Sequence, residues 1–220
     1  MSALTQPLRD EHRELLPQIE RLRAAADAVG EAPPGVLREQ VDEAYEFLVH
    51  HLIPHAEAED RALYPVVGRV MGAPQATATM SRDHVEVGRL TAGLAMLRTR
   101  LRIGDLPEAD RKALRRVLYG LYALVQLHFA KEEEIYLPLL DARLTPEEAR
   151  AMFAAMEGAA REARVQPPHL RARTLSGEPA AGSLPIPHSA GATHTGSGEK
   201  VVTRRVKVGA NAPGGAARAR

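Results

Sequence analysis

The chain has 220 residues, 45% of them hydrophobic but only 4% aromatic, no cysteine, and a formal net charge of +1. That is enough for one ordinary globular domain plus extra chain, and it excludes disulfides, thiolate metal sites and thiol catalysis. The near-neutral total conceals two regions of opposite sign: residues 165–220 hold eight Lys and Arg against two Glu, a surplus of +6, which leaves −5 on residues 1–164.

The N-terminus, MSALTQPLRDEHREL, turns charged at once and has no apolar h-region of a leader. No apolar run approaches the roughly 20 residues that span a bilayer. The expectation is a cytoplasmic protein without a membrane segment.

Residues 4–29 predict a first helix, with Leu8, His12, Leu15, Ile19, Leu22 and Val29 on one stripe. Pro7 suits its first turn, interior Pro17 predicts a kink or brief break, and Gly30 with Pro33-Pro34 stops it. A second helix is predicted over about 35–64, with a bend at Pro54 and an end at Pro65 and Gly68. A third covers about 75–103, with Val87, Leu90, Leu94, Leu97 and Leu101 as its stripe and Gly104 as its stop. Pro107 starts a fourth, which runs to about 142 with a bend at Pro138; its stripe includes Leu121, Val125, Ile135 and Leu139. Thr145-Pro146-Glu147-Glu148 reads as a capping box opening a short fifth helix over 146–163, with Met152, Phe153 and Met156 inward.

From about 165 the periodicity dissolves into Pro, Gly, Ser, Thr and Ala, which reads as a disordered low-complexity tail. The tail is basic, but it has no aromatic residue to stack on bases and no folded reader motif, so no specific nucleic-acid partner is expected. The domain organisation is thus a folded body over 1–164 and a tail over 165–220. Four long helices with short connections predict an all-α, up-down-up-down four-helix bundle carrying a short fifth helix.

Polar residues interrupt the apolar stripes in a repeated way. In LHFAKEEEIYLPLL, His128 and Glu132 lie four apart on one helix face; in LIPHAEAEDRALYPVV, His55 and Glu59 do the same. An offset of 73 superposes these pairs and also Pro65 on Pro138, and an offset of 72 superposes His12 on His84. Each half is therefore a helical hairpin with a His on its first helix and His-x-x-x-Glu on its second. A single such pair is mostly a solvated ion pair, and a lone His on an apolar face is mostly a core histidine. Two matched copies, each inside an apolar stripe, are hard to obtain that way. A carboxylate on a buried face costs several kcal/mol unless it is paired, and a metal ion is one way to pair it. Four imidazoles and two carboxylates without thiolates suit iron, manganese or zinc, and six groups exceed what one tetrahedral zinc takes.

The set H-HxxxE-H-HxxxE, here His12, His55/Glu59, His84 and His128/Glu132, resembles the hemerythrin-like HHE cation-binding family over about residues 4–142. The resemblance implies a four-helix bundle around two non-haem iron ions with an oxo or hydroxo bridge. His12, His55, His84 and His128 would be terminal ligands, and Glu59 and Glu132 bridges. Oxygen-carrying members have a further His where this chain has Gly88, which speaks against simple oxygen carriage and leaves one iron more open, or filled by water or a tyrosine. Their His-x4-Asp spacing would select Glu133, but the repeat matches Glu132 to Glu59. His51 lies one turn before His55 on the same face, and Tyr45 and Tyr122 lie on the site-facing side, where core packing with a bonded hydroxyl is the commoner role of a tyrosine. Glu57, Glu133 and Glu134 are expected to form an acidic solvated face.

The implied activity is reaction with a small oxidant or diatomic gas: peroxide, including catalase-like turnover in oxidative stress, dioxygen or nitric oxide. A non-catalytic iron- or gas-sensing module and a metal-free structural bundle are the alternatives.

Overall fold

The computed structural model describes residues 3–166; the tail expected over 165–220 lies almost wholly outside the described residues. Helix α1 is Gln6–Ala28, α2 spans 34–71, α3 is Ala78–Ile103, α4 spans 108–143 and α5 is Pro146–Val165. There is no strand among the described residues. Cross-helix ion pairs and one hydrogen bond give the topology. Glu11 meets His55 and Arg21 meets Glu43, so α1 and α2 are antiparallel. Asp42 meets Arg98 and Asp60 meets Ser81, which makes α2 and α3 antiparallel. Arg100 meets Asp110 and Asp83 meets Lys131, which does the same for α3 and α4. With α1 packed on α4, the four form the expected up-down-up-down bundle.

Three prolines shape the two helices that carry the repeated pairs. Proline has no N–H and its ring clashes with the carbonyl four residues earlier. Here the backbone widens just before each one. The N–H groups of Ile53, Tyr64 and Leu137 reach back five residues, to the carbonyls of Leu48, Glu59 and Glu132. Each wide turn ends two residues before a proline: Pro54, Pro65 and Pro138. The extra residue relieves the clash, so α2 does not stop at Pro65 as the sequence predicts. It continues to Met71 and ends on Gly72, whose φ of 63° is left-handed. Pro17 likewise does not break α1. It sits on the exposed face, where the carbonyl it leaves unbonded faces water.

The wide turn at Glu132–Tyr136 also changes which side chains face inward. Ile135 is 57% exposed, and Tyr136, Leu137 and Leu140 are buried in its place. One inserted residue rotates everything after it by about 100°.

The fifth helix has the predicted capping box: the Glu148 N–H donates to Thr145 Oγ1 at 3.2 Å and the Thr145 N–H donates to Glu148 Oε2 at 3.0 Å. It packs on the outer side of α2 through Ala149, Met152, Met156 and Ala159. As a result α2 is buried on every side from Leu52 to Glu59. That includes Glu57, which the sequence places on a solvated face.

Candidate metal centre

The bundle has two apolar cores. One is built on Ile19, Leu22, Leu48, Leu94 and Leu118, and the other on Leu8, Leu63, Met80, Leu137 and Met152. His12, His55, Glu59, His84, His128 and Glu132 are all buried along the stretches where each helix passes from one core to the other. Each helix contributes its residues because the apolar stripe carries them inward; nothing else about their local sequence would bury a carboxylate.

The six form two lobes joined by the two carboxylates. In the first, His55 Nε2 is 3.0 Å and His12 Nε2 is 3.8 Å from Glu59 Oε1, and His12 Nε2 is 3.4 Å from Glu132 Oε2. In the second, His84 Nε2 is 3.2 Å and His128 Nε2 is 3.8 Å from Glu59 Oε2, and His128 Nε2 is 3.6 Å from Glu132 Oε1. Each glutamate therefore turns one oxygen to each lobe.

The far nitrogen of every imidazole meets another carboxylate. His12 Nδ1 lies 3.1 Å from Glu133, His84 Nδ1 2.9 Å from Asp60 and His128 Nδ1 3.2 Å from Asp83, all with hydrogen-bond geometry. His55 Nδ1 is 3.1 Å from Glu11 as an ion pair. The three hydrogen-bonded partners favour the Nδ1–H tautomer of His12, His84 and His128, and all four leave Nε2 aimed at the centre. The arrangement is cyclic: α1 serves the His of α2, α2 that of α3, α3 that of α4, and α4 that of α1. One further group enters the second lobe. The Tyr64 hydroxyl donates to Glu132 Oε1 at 2.8 Å and lies 3.1 Å from His128 Nε2 and 3.4 Å from His84 Nε2.

Without a metal, protons balance the buried charge. Burial disfavours the His55 cation, but the Glu59 charge and contacts with Glu11 and Glu59 outweigh it and raise its pKa to about 10. Burial opposes His128 as well, and bonds to Asp83, Glu132 and Glu59 lift it to about 11. His84 is raised too, burial being overcome by Asp60 and Glu59. Burial would raise the Glu59 carboxyl, yet His55, His12 and His128 hold it well below its usual 4.5. Burial and the Glu59 and Glu132 charges push the Tyr64 phenol far above its usual range.

These atoms ask for cations. His12 Nε2, His55 Nε2, both oxygens of Glu59 and Glu132 Oε2 are buried without a hydrogen-bond partner, which folded proteins seldom tolerate. His84 Nε2 and His128 Nε2 face each other at 3.0 Å, and with both protons on Nδ1 that contact would set two lone pairs together. A proton or a metal ion between them removes the repulsion. The ligand atoms fall into two groups, His12/His55/Glu59/Glu132 and Glu59/His84/His128, each within 4.8 Å. An ion about 2.0–2.2 Å from its ligands spans up to about 4.4 Å between opposite ones, so small side-chain shifts close each group on an ion. Of the chain, residues 3–140 match the hemerythrin HHE cation-binding domain. This chain belongs to the hemerythrin HHE cation-binding family. The comparisons with curated proteins and with solved structures returned no match. The match ends before α5, and the HHE domain's buried His and Glu groups are able to hold a metal ion. No helix among the described residues is long and apolar enough to cross a membrane.

The other residues singled out from sequence lie away from the centre. His51 is exposed beside Phe47, Tyr45 packs under Arg98 at 4.4 Å, and the half-buried Tyr122 hydroxyl donates to Glu20 at 3.3 Å. Glu133 is not a solvated bystander but the partner of His12. Tyr64, Glu11, Asp60 and Asp83 were not legible as site residues on a helical wheel. The four acids nevertheless carried a signal. Glu11 and Asp83 repeat at offset 72 and Asp60 and Glu133 at offset 73, each next to a member of the six.

Proposed function

We propose that this HHE domain is a non-haem diiron protein that consumes peroxide, with His12, His55, His84 and His128 as terminal ligands and Glu59 and Glu132 as shared ones. The observation that carries this reading is the division of each glutamate between two imidazole pairs, which suits two ions better than one. The donor set, imidazole and carboxylate without thiolate, favours iron over a lone tetrahedral zinc. When bound, an iron pair would supply the electrons exchanged with the oxidant.

The protein's own contribution is placement and exclusion. Leu52, Ala56, Val87, Val125 and Phe129 wall a cavity over His55, Glu59, His84 and His128. Its volume is about 10 Å³, the smallest space that holds a water-sized molecule. As it stands it takes one water-sized molecule; a peroxide or diatomic molecule enters only with small side-chain shifts, and bulk reductants stay outside. The Tyr64 hydroxyl orients Glu132 and supplies a neutral O–H donor next to the second lobe.

The test is oxygen release from added hydrogen peroxide by the iron-loaded protein, where two peroxides give two waters and one dioxygen. We expect release faster than with the same amount of free iron. Bound iron with no excess release would leave a non-catalytic iron- or gas-binding module.

A further inference from the structure

The four acids behind the imidazoles are not equivalent. Asp60 and Asp83, which hold the His84/His128 lobe, are 26% and 20% exposed. Each is braced from outside: Asp60 Oδ1 accepts from Ser81 Oγ at 2.6 Å, and Asp83 Oδ2 accepts from the Lys131 ammonium. Glu11 and Glu133, which hold the His55/His12 lobe, are 44% and 39% exposed. They are longer side chains with looser support. Arg9 stands 3.8 Å from Glu133, Glu11 has no such brace among the described residues, and the Glu11–His55 contact misses hydrogen-bond alignment.

Access follows the same division. A cleft of about 250 Å³ beneath α5 reaches His55 and Glu11, between Leu8, Ala58, Phe153 and Met156. Another of about 350 Å³ between α1 and α4 reaches His12 and Glu133. The cleft beside the second lobe, about 480 Å³, is lined by Asp60 and Tyr64 and stops short of either imidazole; both line instead the water-sized cavity of about 10 Å³. The Tyr64 hydroxyl closes over that lobe, whereas its counterpart at offset 73, Leu137, has no polar atom to offer.

Resting on the two-ion reading, we infer that the two ions are held unequally: the His84/His128 position is the tight one, and the His12/His55 position exchanges its ion with solvent past Glu11 and Glu133. The four acids are positioning residues. They stand behind the imidazoles and hold the ring angles, and loss of such a partner typically weakens a metal site about 10- to 100-fold. A braced, better-shielded aspartate keeps its imidazole on target while the ion leaves and returns. A loosely held, more exposed glutamate lets the ring swing, which opens a path for departure.

The experiment follows ferrous iron leaving the anaerobically loaded full chain into excess chromogenic chelator. The wild type should release two phases of about one iron each. Glu11→Gln with Glu133→Gln should speed the fast phase by about 10- to 100-fold and leave the slow one unchanged, and Asp60→Asn with Asp83→Asn should speed the slow phase by a similar factor. Should a double variant lose its helical circular dichroism, the single variants Glu133→Gln and Asp83→Asn carry the same test. Merely structural damage would loosen both ions together. One phase in the wild type, equal acceleration of both phases, or no acceleration in either variant overturns the inference. Two irons leaving in a single phase would overturn it while sparing the two-ion reading; a wild type that binds no iron would remove both.

Discussion

The hairpins 6–71 and 78–143 place the same groups at the same offsets yet differ around them. Both turn wide immediately after the shared glutamate, at Glu59–Leu63 and Glu132–Tyr136, and both meet a proline two residues later. The first hairpin has an additional wide turn at Leu48–Leu52, where Pro54 has exposed Leu127 as its counterpart. It also carries Tyr64 in the slot that Leu137 fills in the second hairpin. The backbone device that seats the glutamates is thus duplicated, while the side chains that complete each lobe have diverged. Symmetry of ligands and asymmetry of surroundings can be perturbed separately.

Removing a group common to both lobes should have the largest effect. Glu59→Ala takes one ligand from each group and leaves imidazoliums buried without their partner. Metal content should fall from about two ions to near none, and the metal-free fold should lose about 3–5 kcal/mol, read by metal analysis and urea unfolding. Retention of both ions would break the shared-carboxylate geometry.

Acidity comes next. His55 and His128, ordinarily near 6.5, are held at about 10 and about 11 in the metal-free fold. Their contribution to stability is full below pH 6.5 and is lost as pH rises through those values. Glu59 acts in the opposite sense: its contribution is full above 4.5 and is lost as pH falls through its depressed native value. A metal ion must displace the imidazole protons. The rise in melting temperature on anaerobic addition of ferrous iron should therefore be larger at about pH 8 than at about pH 6. An equal or reversed gain would contradict the proton-for-metal exchange.

Tyr64→Phe tests the divergence between the hairpins. It removes a buried donor to Glu132 and should cost about 1–3 kcal/mol in the metal-free protein, measured by chemical unfolding. The spectrum of the loaded protein should change as only one of two ions changes its surroundings. Smallest of all, Glu134→Ala alters an exposed residue outside the six. Metal content should be unchanged and stability should stay within about 0.5 kcal/mol.

The six central residues were legible because the interruption of an apolar stripe survives any small error in helix bounds, and because the repeat checks it twice. Tyr64 was not legible, for a definite reason. Five residues after Glu59, a straight α-helix would place it about 140° around the axis from the glutamate. The wide turn absorbs one residue and brings it back. The same shift put Ile135 on the surface in place of Tyr136 and Leu137, and the turn at Leu48–Leu52 precedes His55, so His51 does not share its face. Tyr45 is separated from His55 by that same turn, whereas Tyr122 stands in an unbroken α-helical stretch, Glu108–Lys131, and its hydroxyl turns outward to Glu20. The prolines were visible, but a proline in sequence reads as a bend or a stop; that the backbone widens instead depends on tertiary packing holding both sides in line.

The all-round burial of Leu52–Glu59 bears on where the protein can be cut. Family similarity ends at residue 140, yet Met152 and Met156 lie across the back of the helix that bears His55. A truncation designed to the homologous boundary would unroof that strip, presenting Ala58, Ala62 and Leu63 to water and inviting self-association. A fragment ending at residue 140 is therefore expected to associate more readily than one that runs past Val165.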